Sequence, residues 1–552
     1  MKPVDIVLSQ NSGFQWVNEG KVFVKGYSWI HDQYYTAKTL AYYLSDKSIE
    51  KFIEIISLMN GCYAIVYETD HYCIAVVDRL RSIPLFYTDN NQMITDDPIN
   101  INPRQKMNID KVAFAELVSS GMFTANNRTL YSHIQQIPAG TYGIISKEIP
   151  QKLELRSYYI HSHSNVYQSL SQLYQKIDKL SDSVFQRLIQ SVQGKTIIIP
   201  LSGGYDSRYI ASMLVKLHYK KIVCYTYGKL DSYEVRNSKA IAKSLGLKWF
   251  FIEYNEKRWS EIEKSILKDF CFRSFLCSSI PHLQEIIALM QLTTNTGFPS
   301  DGVIVPGFCG DLIAGSFLLS EREMEQLECN KNWISTYIIK KNFSLEQLNQ
   351  KYNSYIKEDI EECIFNYNID ISSKEGVQSF LEAWFTVHRP SKYVIQSNRL
   401  YELFGFEWRM PLWDQEFVDF WYKVPRKYRI GKFLYEKWLF DKLFIPMDID
   451  FKKINTVAQH EHPSFKRMKD YIRKIDGAIW LITGIKLRDK GDPNGFKYLA
   501  RYLFKQLKSP YQYNYTNQNI NFRTAIWSLE NYLGPYDTLY LYKEITKNEH
   551  NL

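Results

Sequence analysis

The sequence predicts an α/β protein in which a β-rich N-terminal domain precedes a domain with a doubly wound parallel sheet. Short apolar runs separated by turn residues recur from residue 1 to about 150, as is typical of strands. From about residue 195, apolar runs alternate with segments of helical periodicity, which indicates a parallel sheet covered by helices. Residues 320–445 have a mostly helical pattern, so we expect the second domain to end in a helical part.

Length and composition indicate a globular protein of several domains. A chain of 552 residues is too long for a single ordinary hydrophobic core. We therefore divide it into domains at 1–160, 170–450 and 451–552, and we assign no role to the last segment. No apolar run reaches the ~18 residues of a membrane helix. No signal-peptide pattern opens the chain, so we expect a cytoplasmic protein without a membrane partner. The basic residues are dispersed, which argues against a nucleic-acid partner despite the net charge of +9.

The predicted elements follow from these patterns. Strands of the N-terminal domain are predicted at 21–24, 62–67, 73–77 and 140–145, and a polar linker at 161–165. The eight cysteines include no C-x-x-C pair, so we expect buried free thiols and neither a disulfide framework nor a zinc site.

The second domain begins with a buried strand at 196–201. A helix follows, because apolar residues recur at the spacing of one helix face: Ile210, Met213, Leu214 and Leu217. Further strands are predicted at 222–227 and 249–252, with a helix around 233–245 between them.

The strongest functional signal is Ser-Gly-Gly-Tyr-Asp-Ser at 202–207, between the buried strand and the amphipathic helix. Glycines without a Cβ let the backbone approach a ligand, and the loop amides with the helix N-terminus form an anion site. The serine hydroxyls add donors for phosphate oxygens, and Asp206 fits beside an anion if magnesium bridges the two. A plain strand-to-helix turn capped by Ser and Asp is the alternative. The missing Gly-Lys-Ser/Thr ending excludes a Walker loop.

Four stretches, in order along the chain, resemble motifs of the asparagine synthetase family. The loop at 202–207 is similar to the pyrophosphate loop of these enzymes, which cleave ATP between the α and β phosphates. Residues 227–234 resemble the segment that touches adenine and ribose, 303–311 the later Ser-Gly-Glu-Gly-Ala-Asp loop, and 405–414 the Gly-Val-Glu-x-Arg-x-Pro-Phe-x-Asp signature. The resemblance spans roughly residues 1–445. It implies an Ntn-hydrolase-like (αββα) glutaminase domain followed by an ATP-pyrophosphatase (adenine nucleotide α-hydrolase-like) domain.

The resemblance also implies an AMP-forming ligase that uses ATP and Mg2+ to adenylate a carboxylate and transfers it to ammonia or another amine. Asp206 and Asp311 match the two carboxylates that hold magnesium. Lys437 matches the lysine that stabilises charge on pyrophosphate and on the tetrahedral intermediate, with Lys432 as the alternative. The residues matched to ATP binding are Leu201, Ser202, Gly203, Gly204, Asp206, Ser207, Tyr227, Pro306 and Gly307.

Two positions depart from the family pattern. Lys2 stands where the family's glutaminase domain has a cysteine nucleophile, so we expect this domain to lack its nucleophile. Neither Cys62 nor Cys73 replaces it, because both lie inside strand-like runs. Phe308 takes the position of a glutamate or tyrosine in the later loop, and its side chain cannot accept a proton from an attacking amine.

The identity of the base is therefore open. His388, Glu382 and Tyr393 are candidates because they precede the 405–414 signature, and none is preferred. Glu407 and Arg409 within that signature are interpreted as a structural ion pair beneath the site.

Several functions and partners stay open at this point. The Pro-Gly-x-x-Gly-Asp form of the later loop resembles relatives from bacterial surface-polysaccharide pathways, which by analogy favours amidation of a uronic acid sugar. The alternatives are an intramolecular cyclase of the β-lactam or lasso-peptide type, asparagine synthesis from aspartate, and an inactive nucleotide-binding scaffold. A separate ammonia source and a homodimer are left open as well.

Overall fold

The computed structural model describes residues 3–10, 13–88, 90, 92–101, 108–148, 153–164, 166, 168–451 and 492–547. Three sequence-based predictions extend outside these ranges: the one at Lys2, the linker at residue 165, and the C-terminal segment at residues 452–491.

Strands and helices alternate through most of the described chain. The strands are β1 (Asp5–Val7), β2 (Val17–Glu19), β3 (Val22–Ile30), β4 (Gln33–Thr36), β5 (Met59–Glu68), β6 (Tyr72–Val77), β7 (Phe86–Thr88), β8 (Met93–Thr95), β9 (Ile134–Gln136), β10 (Thr141–Ser146), β11 (Leu153–Ser157), β12 (Ile197–Pro200), β13 (Ile222–Gly228), β14 (Lys248–Glu253), β15 (Val303–Ile304) and β16 (Glu407–Trp408). The helices are α1 (Ala37–Leu44), α2 (Ile49–Leu58), α3 (Lys111–Ser120), α4 (Leu170–Ser191), α5 (Tyr205–Lys216), α6 (Tyr233–Ser244), α7 (Glu256–Ser260), α8 (Lys264–Phe275), α9 (Ile286–Thr293), α10 (Glu321–Glu325), α11 (Lys331–Asn342), α12 (Gln350–Asn366), α13 (Lys374–His388), α14 (Arg399–Leu403), α15 (Gln415–Lys423), α16 (Arg426–Arg429), α17 (Phe433–Leu439), α18 (Phe496–Gln506), α19 (Ile520–Leu533) and α20 (Pro535–Thr546).

The N-terminal part consists of two sheets stacked face to face, with helices on the outer face of the larger sheet. The larger sheet has the order β11-β10-β6-β5-β3-β2, β4 pairs with β3, and all of these pairings are antiparallel. The smaller sheet has the order β1-β8-β7-β9. Alternation along β5 explains the stacking: Ala64 and Val66 share a core with Tyr87 and Ile94 of the smaller sheet, whereas Ile65 packs with α1 and α2.

The second domain is built on the parallel sheet that the sequence predicts. Its order is β14-β13-β12-β15-β16, and all four pairings are parallel. The three predicted strands at 196–201, 222–227 and 249–252 are confirmed as β12, β13 and β14. Because β13 and β15 lie on opposite sides of β12, the strand order reverses there, and the carboxyl ends of these strands open onto a crevice.

Both faces of the central strand β12 are covered, which explains its continuous apolar sequence. Ile197 and Ile199 lie in a core with residues of α4 and α5, whereas Ile198 points to the other face, into a core that includes α9. The described residues contain no helix with the length and apolar character needed to cross a membrane.

The described part of the C-terminal segment packs back on both domains. The Glu544 carboxylate in α20 forms an ion pair with Lys111 of α3, at 2.9 Å. At the other end of the segment, the Pro493 carbonyl accepts a hydrogen bond of 2.9 Å from the backbone N–H of Lys229, directly after β13. The segment is therefore part of the folded body beside the parallel sheet.

The helical part contains a buried ion pair between Glu382 and Arg429. The two side chains are 1% and 0% exposed, and Arg429 donates through both terminal nitrogens to the two carboxylate oxygens. Such a pair offsets the desolvation of its charges only while both partners are present.

We predict that Glu382→Gln lowers the thermal unfolding midpoint, because the Arg429 guanidinium then stays buried without its counter-charge. The expected cost is about 3–5 kcal/mol, measured by calorimetry. The control is Glu54→Gln, which breaks an exposed 2.8 Å pair with Lys51 and should cost less than about 0.5 kcal/mol. Equal midpoints for the two variants would contradict the prediction.

Candidate active site

A cleft of about 380 Å³ opens at the carboxyl ends of β12, β13 and β15. It is lined by Pro200, Ser202, Gly204, Tyr205, Asp206, Ser207, Tyr227, His282, Glu285, Pro306, Gly307, Phe308, Asp311, Tyr401, Lys432, Tyr435, Glu436, Asn494 and Phe496. Most of the residues matched to ATP binding are in this set. Leu201 and Gly203 are not: Leu201 is buried in the core, and the Gly203 N–H donates to Glu234 at 2.7 Å.

The loop after β12 is held by its own hydroxyl groups. The Ser202 N–H donates to Ser207 Oγ at 3.1 Å, and the Gly204 N–H donates to Ser202 Oγ at 3.1 Å. Gly204 is the N-cap of α5 and has no side chain to cap the first turn. The amides at the start of this twelve-residue helix are therefore left for an anionic group in the cleft.

The loop at 306–311 packs directly on the start of α5, and two glycines permit the contact. A Cβ added to Gly307 would lie 2.6 Å from the Ser207 backbone nitrogen, and one added to Gly310 would lie 2.9 Å from Asp206 Cγ. Both distances are too short for any side chain. The sequence alone gives two separate loops, and the structure joins them into one wall of the cleft.

Asp206 and Asp311 meet at this contact. Asp206 Oδ2 accepts a hydrogen bond of 3.2 Å from the Asp311 N–H, and Asp206 Oδ1 accepts one of 2.7 Å from the Tyr435 hydroxyl. Burial and the nearby negative charge of Asp311 raise the pKa of the Asp206 carboxyl to about 7. The same environment favours a divalent cation, which would neutralise both carboxylates.

The donor set fits magnesium bound together with phosphates. Mg2+ is usually held by one or two carboxylates, with substrate phosphates and water completing its ligands. Within the described residues, no cluster of three or more His, Cys, Asp or Glu side chains suited to a metal is found.

The structure brings Lys432, and not Lys437, into the cleft. Lys432 Nζ lies 3.7 Å from Asp311 Oδ2 and 3.7 Å from Glu436 Oε1. Lys437 Nζ instead donates to Asp441 at 2.6 Å, within the same helical segment. Lys432 has a left-handed φ of 60° directly before α17. Lys437 follows five residues later, which corresponds to roughly 1.4 helical turns, so the two side chains point in different directions.

The three candidate bases lie elsewhere and have structural partners. The His388 ring stacks on Trp384 with centroids 4.1 Å apart, and its Nε2 accepts the Asn126 N–H at 3.1 Å. Glu382 belongs to the buried ion pair described above, and the Tyr393 hydroxyl donates to Asn521 at 3.0 Å. None of the three is among the described residues that line the cleft.

The Glu407–Arg409 pair also lies away from the cleft, as interpreted from the sequence. Arg409 Nη2 donates to Glu407 at 2.9 Å and to the Ser191 carbonyl at 3.1 Å. Its guanidinium lies over the Tyr27 ring at 4.4 Å, so Arg409 ties the N-terminal domain to the parallel sheet.

Sequence reasoning missed several cleft residues that come from distant segments. His282, Glu285 and Tyr401 are outside every motif, and Asn494 and Phe496 belong to the C-terminal segment. One signal was available for Glu285: it is an acidic residue immediately before the apolar run that begins α9. No motif points to the others, because only tertiary packing brings them to the cleft.

The N-terminal cysteines have no catalytic surroundings. Cys62 and Cys73 are buried, and burial raises the pKa of each thiol to about 12. Neither thiol ionises near neutral pH, so neither supplies a thiolate nucleophile.

Comparison with protein families agrees with this geometry. Residues 177–447 match the family described as asparagine synthase, and residues 49–159 match the glutamine amidotransferase domain. The two matches follow the order predicted from the sequence. The chain belongs to the asparagine synthetase family. No match was found among curated proteins.

Membership of the asparagine synthetase family confirms the predicted fold class. The two-sheet N-terminal part corresponds to the Ntn-type domain, and the parallel sheet with its helical C-terminal part corresponds to the ATP-pyrophosphatase domain. The synthase domain gives this family member ATP-dependent amide-ligase chemistry of the amidotransferase type.

We predict that Gly307→Ala weakens ATP binding by roughly 10-fold or more, because the added Cβ forces the two loops apart at a cost on the order of 1–3 kcal/mol. Titration calorimetry with ATP and magnesium measures the change. Gly297→Ala is the control, since its Cβ would come no closer than 3.3 Å to an exposed Asn295 side chain. Wild-type affinity in the Gly307 variant would show that the loop contact does not shape the nucleotide site.

Proposed function

We propose that this protein adenylates a substrate carboxylate with ATP and magnesium and transfers the acyl group to ammonia or another amine. The products are the amide, AMP and pyrophosphate. The observation that supports the proposal is the convergence of the 202–207 loop, Asp206, Asp311 and Lys432 on one cleft at the switch point of a parallel sheet.

The nucleotide phosphates bind at the start of α5 in this proposal. The amides of the first turn of α5, with the Ser202 and Ser207 hydroxyls, donate to phosphate oxygens. Asp206 and Asp311 would hold the magnesium ion, which would neutralise phosphate charge when bound. The proposed adenosine wall includes the Tyr227 ring, which stacks on Tyr254 with centroids 5.0 Å apart, together with the segment at 306–307.

The first half-reaction forms the acyl adenylate. A carboxylate oxygen of the substrate attacks the α-phosphorus, the bond from that phosphorus to the bridging oxygen breaks, and pyrophosphate leaves. Lys432 stabilises the charge that develops on pyrophosphate, because its ammonium group lies in the cleft beside Asp311. In the second half-reaction the amine nitrogen attacks the acyl carbon, and AMP leaves with the C–O bond electrons.

The class of carboxylate is proposed from the form of the 306–311 loop, which favours a uronic acid sugar that becomes a uronamide. The same proposal divides the chain into domains at 1–160, 170–450 and 451–552. It also includes the supply of ammonia from a separate source. Asparagine formation from aspartate is distinguished from amidation of a uronic acid sugar by the carboxylate that the enzyme accepts.

We predict that Asp206→Asn abolishes carboxylate-dependent ATP–pyrophosphate exchange, with a loss of roughly 100-fold or more, because the phosphate-side cation loses a ligand. The assay uses D-glucuronate and L-aspartate as parallel carboxylates. Asp182→Asn is the control, since it removes only an exposed ion pair with Lys216. Unchanged exchange in the Asp206 variant, or release of phosphate and ADP in place of pyrophosphate and AMP, would refute the proposed reaction.

We predict that Lys432→Met lowers the exchange rate by roughly 100- to 1,000-fold, as expected when a charge-stabilising donor is removed. Lys437→Met is the matched control, because that side chain pairs with Asp441 outside the cleft, and its exchange rate should stay close to wild type. The reverse order of effects would assign the role to Lys437.

A further inference from the structure

The cleft contains an acidic side chain to which the proposed function gives no role. Glu285 ends the short turn Leu283–Glu285 before α9 and is 2% exposed. Its Oε1 accepts a hydrogen bond of 2.5 Å from the Tyr225 hydroxyl, and its Oε2 accepts one of 3.1 Å from the Tyr401 hydroxyl. Two phenols thus hold the carboxylate in one orientation.

Glu285 differs from the other acidic residues of the cleft in having no cationic partner. Asp311 and Glu436 both lie 3.7 Å from the Lys432 ammonium group. No lysine or arginine of the described chain forms an ion pair with Glu285, and the groups that act on its charge are the two tyrosines. A buried carboxylate without a counter-ion is suited to a ligand that carries an amino group.

A second polar group lies in the same turn. His282 lines the cleft, and its Nδ1 atom is buried without a hydrogen-bond partner among the described residues. Burial lowers the pKa of His282 to about 4, so the ring is neutral and does not compete with an amine for the carboxylate. An unpartnered buried nitrogen beside Glu285 indicates that a ligand group completes its hydrogen bonding.

The chemistry of the second half-reaction requires a proton acceptor. An attacking amine must lose a proton as the C–N bond forms, and Phe308 cannot take it. Burial raises the pKa of the Glu285 carboxyl to about 7, which matches a base that works near neutral pH.

We propose that Glu285 and His282 form the subsite for the amine nucleophile, and that the Glu285 carboxylate accepts the proton that the amine loses. The inference rests on the proposed function and assigns the nucleophile side of the same cleft. The amine nitrogen bonds to the acyl carbon, the C–O bond to AMP breaks, and one N–H proton moves to Glu285 and then to solvent. Tyr225 and Tyr401 are positioning residues that orient the carboxylate. The ligand class is ammonia or a primary amine.

The two half-reactions give the test. Carboxylate-dependent ATP–pyrophosphate exchange reports adenylation, and amide formation with ammonium chloride reports amine attack. In Glu285→Gln we expect amide formation to fall roughly 100-fold or more, the scale of a lost general base, while exchange stays within about threefold of wild type.

The matched control is Glu530→Gln. Glu530 is also a buried carboxylate that accepts a tyrosine hydroxyl, Tyr513, at 2.9 Å, but it lies outside the cleft in α19. Both half-reactions of this variant should match wild type. Amide formation in Glu285→Gln within about threefold of wild type would overturn the inference, as would an equal loss of both half-reactions.

A second variant covers the case in which Glu285→Gln does not fold. Tyr401→Phe keeps the ring and removes one donor to Glu285, so amide formation should fall about tenfold, the scale of one hydrogen bond to a charged group, with exchange retained. Unchanged amide formation in this variant would count against the inference. Failure of the wild-type protein to catalyse any exchange would instead refute the proposed function, so the two failures are distinguishable.

Discussion

The contact between the 306–311 loop and the first turn of α5 is the constraint on which the rest of the cleft depends. Gly307 brings its backbone against that of Ser207, and Gly310 approaches the Asp206 side chain, at distances that leave no room for a Cβ. Because the loops touch, the carboxylate of Asp206 reaches the amide of Asp311, and the uncapped amides of α5 face the same space. The proposed phosphate site and the proposed cation site therefore share one piece of backbone geometry.

The acidic residues of the cleft fall into two electrostatic environments. Asp206 and Asp311 repel each other and lie near Lys432, so their charges are balanced only when a cation is bound. Glu285 is isolated among phenols, where the charged form is stabilised by hydrogen bonds and opposed by desolvation. One environment suits a metal nucleotide, and the other suits a group that exchanges protons. Separation of the two allows phosphate chemistry and proton transfer in a single cleft without mutual neutralisation.

The sequence predicted those features that are encoded locally. The strands β12, β13 and β14 follow from continuous apolar runs, and the phosphate loop is a contiguous motif with a clear chemical reading. Lys432 and Lys437 were not separable from sequence, because the left-handed residues before α17 decide which side chain enters the cleft. Tyr401 lies more than a hundred residues after His282 and Glu285 in the chain, and only the packing of α9 and α14 beside the sheet brings the three residues together. Of the three candidate bases, none of which lines the cleft, Glu382 and His388 have structural partners elsewhere, whereas the Tyr393 ring packs on His282 with centroids 6.2 Å apart.

The position of the C-terminal segment has a consequence for biosynthesis. Asn494 and Phe496 form part of the cleft wall, next to the end of β13 at Gly228 and more than 260 residues later in the chain. During translation, the phosphate loop and the sheet emerge long before this wall is made. The cleft of the nascent polypeptide therefore stays unfinished until residues 494–496 have left the ribosome, and a premature stop codon after the synthase domain would leave the cleft open on one side.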